Sequence, residues 1–232
     1  MTALQLKLLA MLLMLGDHIH YFFLFQEPQP PALLTWLGRL SAPLFVFLTV
    51  ESFQHTRDRR AYRDRLFWGA IVMIAGSLLL RWLYPRPDGL ALTNNIFLTL
   101  GWAVLLLEKL TLYLGRQRSL DSLFFALLLI MGCLFTEGGI LLLPLAIIFY
   151  VFRANKTRLA ISYALLSALM LPGSWPLFSD NPHADVQWMM IFALPLFFLY
   201  NSQRGPSLRW LFYAFYPLHI WLLYLVSAWL QR

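Results

Sequence analysis

The sequence predicts an all-α, polytopic membrane protein that forms a bundle of about nine transmembrane helices. Of its 232 residues, 60% are hydrophobic and only 12% are charged, whereas about a quarter of the residues of a typical soluble domain are charged. Apolar stretches follow one another along the whole chain, with short polar loops between them. No stretch is polar enough to form a separate soluble module, so residues 1–232 are predicted to be one integral membrane domain.

The first three apolar stretches have the length that a membrane span requires. Residues 4–25 are long enough at helical rise to cross a bilayer. No small-residue cleavage site follows them, so we expect a first span that is retained. The second predicted span, 34–53, and the third, 66–84, are separated by an arginine-rich loop. The third span ends where Pro85 cannot continue a helix.

Six further spans are predicted in the remainder of the chain. The fourth, 90–107, opens with three polar residues, Thr93-Asn94-Asn95. A tight turn at 136–139, rich in glycine, joins the fifth and sixth spans. Several of these stretches are short, so one pair is expected to be re-entrant or strongly tilted. The later spans are 120–135, 140–152, one that ends near residue 171, 186–200 and 208–230.

The loop charges predict an orientation. The net charge of +7 lies mostly in loops that fall on one side of the predicted bundle, which is the pattern of topology signals rather than of nucleic-acid binding. The positive-inside rule then places the N-terminus in the cytoplasm and the C-terminus outside. The cations on the cytoplasmic side are Lys7 and those within 57–65, 109–118, 153–158 and 204–209.

Asp17 and His18 are the most informative residues, because they lie about 18 Å into the first predicted span. Ionisable residues at such depth usually face a protein interior or a wet cavity, and they are functional candidates. The alternative is a role in helix packing or folding, which is stronger still for His20. If Asp17 and His18 are functional, their partners are expected on other spans.

Four polar residues of other spans are predicted to reach the same mid-to-outer cavity. Arg39 and Asn95 begin the second and fourth spans, and Tyr216 and His219 share one face of the last span. Each also has a structural interpretation. Arg39 could snorkel to the interface or pair with Asp17, Asn95 could be an interhelical hydrogen bonder, and Tyr216 and His219 could be packing residues.

A second group of candidates lies at the predicted cytoplasmic mouth. Glu51 ends the second span, and Arg57, Arg59 and Arg63 follow it in the next loop. Arginines of this kind are able to hold the phosphates of a cytosolic ligand. The alternative is that they are topology signals and that Glu51 is their partner. No residue cluster predicts a metal site.

Several ordered sequence blocks resemble the TraX family. They lie towards both ends of the chain, and no block alone is as specific as the ordered set. The family's named member is the pilin acetylase of conjugative plasmids, which acetylates the N-terminus of the processed pilin, and the family is distantly similar to the acyltransferase-3 membrane enzymes. The blocks are Leu15-Gly16-Asp17-His18-Ile19, Gly38-Arg39-Leu40-Ser41-Ala42-Pro43-Leu44-Phe45, Glu51-Ser52-Phe53-Gln54-His55-Thr56-Arg57, Arg65-Leu66 and Phe212-Tyr213-Ala214-Phe215-Tyr216-Pro217-Leu218-His219.

The resemblance implies a multi-pass enzyme of a bacterial inner membrane. This enzyme would move an acetyl group from cytosolic acetyl-CoA to a pilin or, alternatively, to a surface glycan. His18 would be the general base, with Asp17 nearby to set its tautomer and charge. Arg39, His219 and Asn95 would stabilise the oxyanion or hold donor phosphates. Two other functions stay open. One is a small proton-coupled transporter, for which internal repeats would be expected and none is found. The other is a non-catalytic partner in pilus or secretion assembly.

Overall fold

The computed structural model is a bundle of helices. It describes residues 1–24, 31–90, 92–115, 136–171, 186–206 and 208–231, together with residues 124, 127, 130, 132 and 134. No β-strand occurs in these described residues, which confirms the all-α prediction. Most of the fifth predicted span, 120–135, and the polar loop 172–185 lie outside the described residues.

Nine α-helices are described, and one 3₁₀ helix, Gln187–Ala193, precedes the eighth. They differ widely in length, from 25 residues in α4 to five in α8. The helices are α1 (Ala3–Phe23), α2 (Leu33–Gly38), α3 (Ser41–His55), α4 (Arg59–Leu83), α5 (Ile96–Leu114), α6 (Gly139–Phe152), α7 (Lys156–Ala168), α8 (Leu194–Phe198) and α9 (Arg209–Leu230).

Four described segments are long and apolar enough to cross a membrane, so the chain is a membrane protein. They are α4, α5, Trp210–Leu230 of α9, and Leu33–His55, which combines α2 and α3. α1 is 21 residues long but is not among the four. The count of nine spans and the orientation of the termini stay predictions.

Side chains at several helix starts explain why the helices begin where they do. The first amides of an α-helix have no partner within the helix, so a capping oxygen stabilises them. Thr2 and Gln5 form a reciprocal capping box at the start of α1. Asp58, Asn95 and Asn155 accept from backbone amides in the first turns of α4, α5 and α7.

α3 is the most enclosed of the long helices, and it holds the bundle together. Ten of its 15 residues are buried. It contacts α1 on one side and α5 and α6 on the other, while α1 also contacts α2 and α9. α1 and α9, which contact each other directly, carry the candidate site.

The second predicted span is interrupted, because α2 ends at Gly38 and α3 begins at Ser41. Gly38 lies directly on Asp17 of α1. A Cβ added at Gly38 would be 2.4 Å from the Asp17 Cβ atom, which is a clash. A glycine is required for this close approach of α2 to α1, and it brings the next residue, Arg39, beside the Asp17 carboxylate.

The predicted fourth span begins later than expected. α5 starts at Ile96, and the described residues of 84–95 are not helical. This segment enters the bundle beside α9, because Arg86 contacts Ser227 while Ile96 contacts Tyr216. Those two α9 residues are 11 apart, so the segment descends about 16 Å along the helix axis. Asn95 therefore lies at the depth of Tyr216.

Candidate functional site

Two buried histidines from opposite ends of the chain meet between α1 and α9. His18 Nδ1 lies 2.9 Å from His219 Nε2, although the residues are 201 positions apart in sequence. The residues are 6% exposed each. His219 is fixed further by its own helix, since its Nδ1 lies 2.7 Å from the Phe215 carbonyl oxygen. We call His18 and His219 the histidine pair.

The hydrogen bonds assign the protons of the histidine pair. A carbonyl oxygen only accepts, so His219 Nδ1 carries a proton and donates it to Phe215. In the neutral ring His219 Nε2 is then an acceptor, and His18 Nδ1 is the donor to it. His18 Nε2 is left with its lone pair. No hydrogen bond joins this nitrogen to any residue in the described part of the chain, so it is available to take a proton.

Asp17 pairs with Arg39, which is one of the two structural interpretations that the sequence offered for Arg39. Arg39 NH2 donates to Asp17 Oδ1 at 2.5 Å, and the two side chains are 18% and 17% exposed. Arg39 also donates to the Thr35 carbonyl oxygen and to Gln187 Oε1. The Asp17–Arg39 pair thus ties α1 to α2 and to the 3₁₀ helix. Among the described residues, His18 donates its hydrogen bond to His219 and not to Asp17.

Asn95 and Tyr216 meet at a carboxylate, Glu137, that sequence reasoning did not place in the site. Glu137 Oε2 accepts a hydrogen bond from the backbone N–H of Asn95 at 2.5 Å and another from the Tyr216 hydroxyl at 3.4 Å. Tyr216 in turn accepts from the Ile96 amide at 2.9 Å. Glu137 therefore caps the buried start of α5, where a negative charge is favourable. The signal for it was the Glu-Gly-Gly turn, in which Gly138 has a φ of +65°.

A cavity of about 350 Å³ opens where α1 and α9 begin and α3 ends. We call it the basic cavity. Its charged lining is made of three cations, Lys7, Arg65 and Arg204, against one carboxylate, Glu51, with His55 beside them. Arg204 donates to the His55 carbonyl oxygen at 2.8 Å, which fixes one wall. An excess of cations in a concave site suits an anionic ligand.

The three arginines that the sequence indicated do not line the basic cavity. Arg63 forms ion pairs with Glu108 and Asp64, each at 2.9 Å. Arg59 lies over the Phe53 ring, 4.3 Å from its centre, and Arg57 is exposed. Of the predicted group only Glu51 faces the cavity. Sequence reasoning missed Lys7, Arg65 and Arg204 there, because cations at helix ends and in short loops do not show from sequence which of them turns inward.

A layer of aromatic rings separates the basic cavity from the histidine pair. Phe45 and Phe212 line the cavity, with ring centres 4.9 Å apart. Phe97 touches Phe212 at 5.2 Å and Tyr216 at 4.9 Å, and Tyr216 touches His219 at 5.8 Å. Phe212 and His219 are seven residues apart on α9, which corresponds to about 10 Å. The two sites are thus neighbours along one helix.

The fold and the site together define a helical membrane protein with a buried histidine pair and, along the same helices, a basic cavity. The chain belongs to the TraX family, since the family model described as "TraX protein" matches residues 3–227. It is also 30% identical over 242 residues to a protein of Dichelobacter nodosus named "Probable fimbrial assembly protein FimC, serogroup H1". That match covers 99% of this chain and 97% of the relative. No solved structure matches the chain.

Proposed function

We propose that this protein is a membrane acetyltransferase that moves an acetyl group from acetyl-CoA to an acceptor, a pilin N-terminus, on the other side of the membrane. The observation that carries the proposal is the histidine pair, which leaves His18 Nε2 as an unprotonated nitrogen inside the bundle. The name of the relative, a fimbrial assembly protein, supports a pilus subunit as the acceptor. Membership of the TraX family also supports a pilus-related acceptor.

His18 would act as the general base. The acceptor nitrogen attacks the thioester carbonyl carbon, a new C–N bond forms, and the C–S bond breaks. The proton of the acceptor passes to His18 Nε2 and then to the leaving thiolate, so the products are an acetylated amine and a free thiol. A base of this kind contributes a factor of about 10²–10⁴ to the rate. Hydroxyl acceptors would follow the same steps with a C–O bond.

The basic cavity would hold the anionic end of the donor. Lys7, Arg65 and Arg204 line it and would face the phosphates, for which cations and guanidinium groups are suited. The thioester arm would have to pass Phe45, Phe97 and Phe212, which are at most 5% exposed and fill the space below the histidine pair. Transfer therefore requires these rings to separate, and the thioester reaches His18 only after that movement.

The test compares two histidines of the same helix. Purified His18→Ala and His20→Ala proteins would be given radiolabelled acetyl-CoA with pilin and with glycan acceptors. His18 and His20 are 6% and 9% exposed, so both changes remove a buried ring. We expect His18→Ala to lose about 10²–10⁴ in rate and His20→Ala to keep it. Transfer at the parent's rate by a folded His18→Ala protein would contradict the proposal. Label on the glycan rather than the pilin would change the acceptor but not the reaction.

A further inference from the structure

We infer that His219 is a positioning residue that holds His18 in the Nδ1–H tautomer and so makes Nε2 the nitrogen that takes the proton. This inference deepens the proposed function and rests on it for the identity of the reaction. The hydrogen-bond geometry is independent of that reaction. The sequence suggested Asp17 for the orienting role, and the structure assigns the role to a residue on another helix.

His219 is itself held in one orientation on α9. Its Nδ1–H is bonded to the carbonyl oxygen of Phe215, one turn earlier. The Phe215 ring stacks on the imidazole with 4.6 Å between centres and 17° between planes. Tyr216 closes a further side at 5.8 Å. A ring constrained in this way presents only its Nε2 lone pair to His18, which explains why the bond between the two histidines has one direction.

His219 provides a different environment for the base from the one that a carboxylate would provide. Both rings of the histidine pair are neutral in this arrangement, so the buried site carries no unpaired charge before reaction. When His18 Nε2 takes the proton of the acceptor, the bond from His18 Nδ1–H to His219 becomes charge-assisted and therefore stronger. His219 thus stabilises the charged form at the moment when it arises and does not touch the substrate.

The alternative orienting residue is already engaged. Asp17 Oδ1 accepts from Arg39, and the Cβ and carboxylate of Asp17 lie against Gly38. Successive residues of a helix point about 100° apart, so Asp17 and His18 face different neighbours. The Asp17–Arg39 pair positions α2 relative to α1, while the tautomer of His18 depends on α9.

Two substitutions at residue 219 separate positioning from space filling. In His219→Gln the amide oxygen is able to accept the His18 Nδ1–H bond, whereas in His219→Phe the ring volume is kept and no acceptor remains. We expect His219→Phe to lower kcat by about 10²-fold with little change in the KM for acetyl-CoA. His219→Gln should recover most of that loss. Equal losses in both variants, with both proteins folded, would contradict the inference.

The pH dependence of the transfer rate gives a second test, because a purely structural role of His219 would not shift the pH profile. Loss of the acceptor for Nδ1–H removes the stabilisation of protonated His18, so the acidic limb of the rate profile should move to lower pH in His219→Phe. In His219→Gln the limb should stay near that of the parent. A uniform loss of rate, with the limb unmoved in His219→Phe, would overturn the positioning role.

A spectroscopic measurement tests the tautomer without any assay of transfer. Nitrogen-15 NMR of histidine-labelled protein distinguishes a protonated Nδ1 from a protonated Nε2, and the signals of His18 are identified by their loss in His18→Gln. We expect Nδ1–H in the parent and a mixture in His219→Phe. If the parent shows Nε2–H at His18, the inference fails even if acetyl transfer is confirmed. If the parent shows Nδ1–H but transfers no acetyl group, the geometry stands and the proposed function fails.

Discussion

The histidine pair and the basic cavity lie on the same two helices, yet they are built in opposite ways. The histidine pair is buried, uncharged in its resting form, and defined by two hydrogen bonds of 2.9 and 2.7 Å. The basic cavity is open, about 350 Å³ in volume, and lined by three cations against one carboxylate. Directional bonds in a closed site suit proton transfer, whereas diffuse positive charge suits capture of an anionic donor.

The difference also predicts how each region responds to change. Hydrogen bonds between buried groups fail when one partner moves by a fraction of an ångström, because the geometric limits are narrow. Charge in an open cavity acts over longer distances and is screened by salt. We therefore expect small changes of shape to affect the histidine pair and the helix contacts around it. Changes of charge or ionic strength should affect the basic cavity.

The largest expected effect is an all-or-none one, because a reporter fused to the chain is active on one side of the membrane only. Reporter fusions after Arg60 and at the C-terminus should report the cytoplasm and the outside, respectively, because most loop cations lie on one side. Arg60 follows the segment that lines the basic cavity, so a cytoplasmic signal places the cavity where acetyl-CoA is available. If the reporter at Arg60 is active only outside, the basic cavity opens on the side without acetyl-CoA and cannot be the donor site.

The contact of α2 with α1 beside the histidine pair should be sensitive to one added methyl group. Gly38→Ala would bring a Cβ to 2.4 Å from the Asp17 Cβ atom and 2.7 Å from Oδ1. We expect a loss of about 1–3 kcal/mol in the free energy of unfolding, the usual cost of overpacking. Thermal unfolding in detergent measures it.

Gly16→Ala is the matched control for that substitution, because it adds the same methyl group one residue from Asp17. Its Cβ would meet the nearest Leu34 atom at 3.4 Å, an ordinary contact. We expect little change in its thermal unfolding, since alanine also favours a helix more than glycine does. Equal unfolding temperatures for Gly38→Ala and Gly16→Ala would show that the close approach of α2 to α1 is not required.

The basic cavity should respond to charge. We expect the double substitution Arg65→Gln and Arg204→Gln to weaken acetyl-CoA binding at least about tenfold, as lost charged hydrogen bonds do. The remaining binding should depend less on salt. Binding measured at two ionic strengths checks both effects.

Arg57→Gln distinguishes the structural assignment from the sequence prediction, because Arg57 is exposed and does not line the cavity. We expect it to leave donor binding unchanged. Weaker binding in Arg57→Gln, with none lost in the double variant, would return the donor site to the loop that the sequence suggested.

The smallest expected effect concerns a clamp at the far end of α9. Arg86 donates two hydrogen bonds to the Asp88 carboxylate and holds the pKa of Asp88 well below its usual range. A lowered pKa in the folded state stabilises the protein at neutral pH, and this stabilisation is lost as the pH falls below about 4. Because the Asp88 side chain is 38% exposed, the contribution should stay below about 1 kcal/mol.

Asp88→Asn checks that effect, since the amide has no charge to lose. We expect the unfolding temperature of the parent to fall more between pH 7 and pH 3 than that of Asp88→Asn. The same fall in both proteins would assign the pH dependence to other groups. Arg86 lies in the segment between α4 and α5. Its hydrogen bonds to the Phe22 carbonyl oxygen and Ser227 show that it joins α9 to the end of α1.

The sequence predicted the class of fold because hydrophobicity is a local property that each segment carries by itself. It indicated α1 and α9 as helices that carry candidate site residues, since a buried acid or histidine in an apolar segment is costly wherever the segment lies. It did not predict the break at Gly38 or the late start of α5 at Ile96. The first depends on contact with Asp17, and the second on a carboxylate from a distant turn.

The all-α class was readable from the sequence alone, because it follows from residue type and local pattern. The same holds for the choice of His18, Asp17, Arg39 and His219 as candidates, since each is a polar residue in an apolar segment. Their pairing was decided by the tertiary structure. Asp17 and His18 are adjacent in the chain, but Asp17 is bonded to Arg39 of the α2–α3 junction and His18 to His219 of α9. The physical reason is that helix geometry turns adjacent side chains apart, so the packing of three helices, and not distance along the chain, selects which partner each one meets.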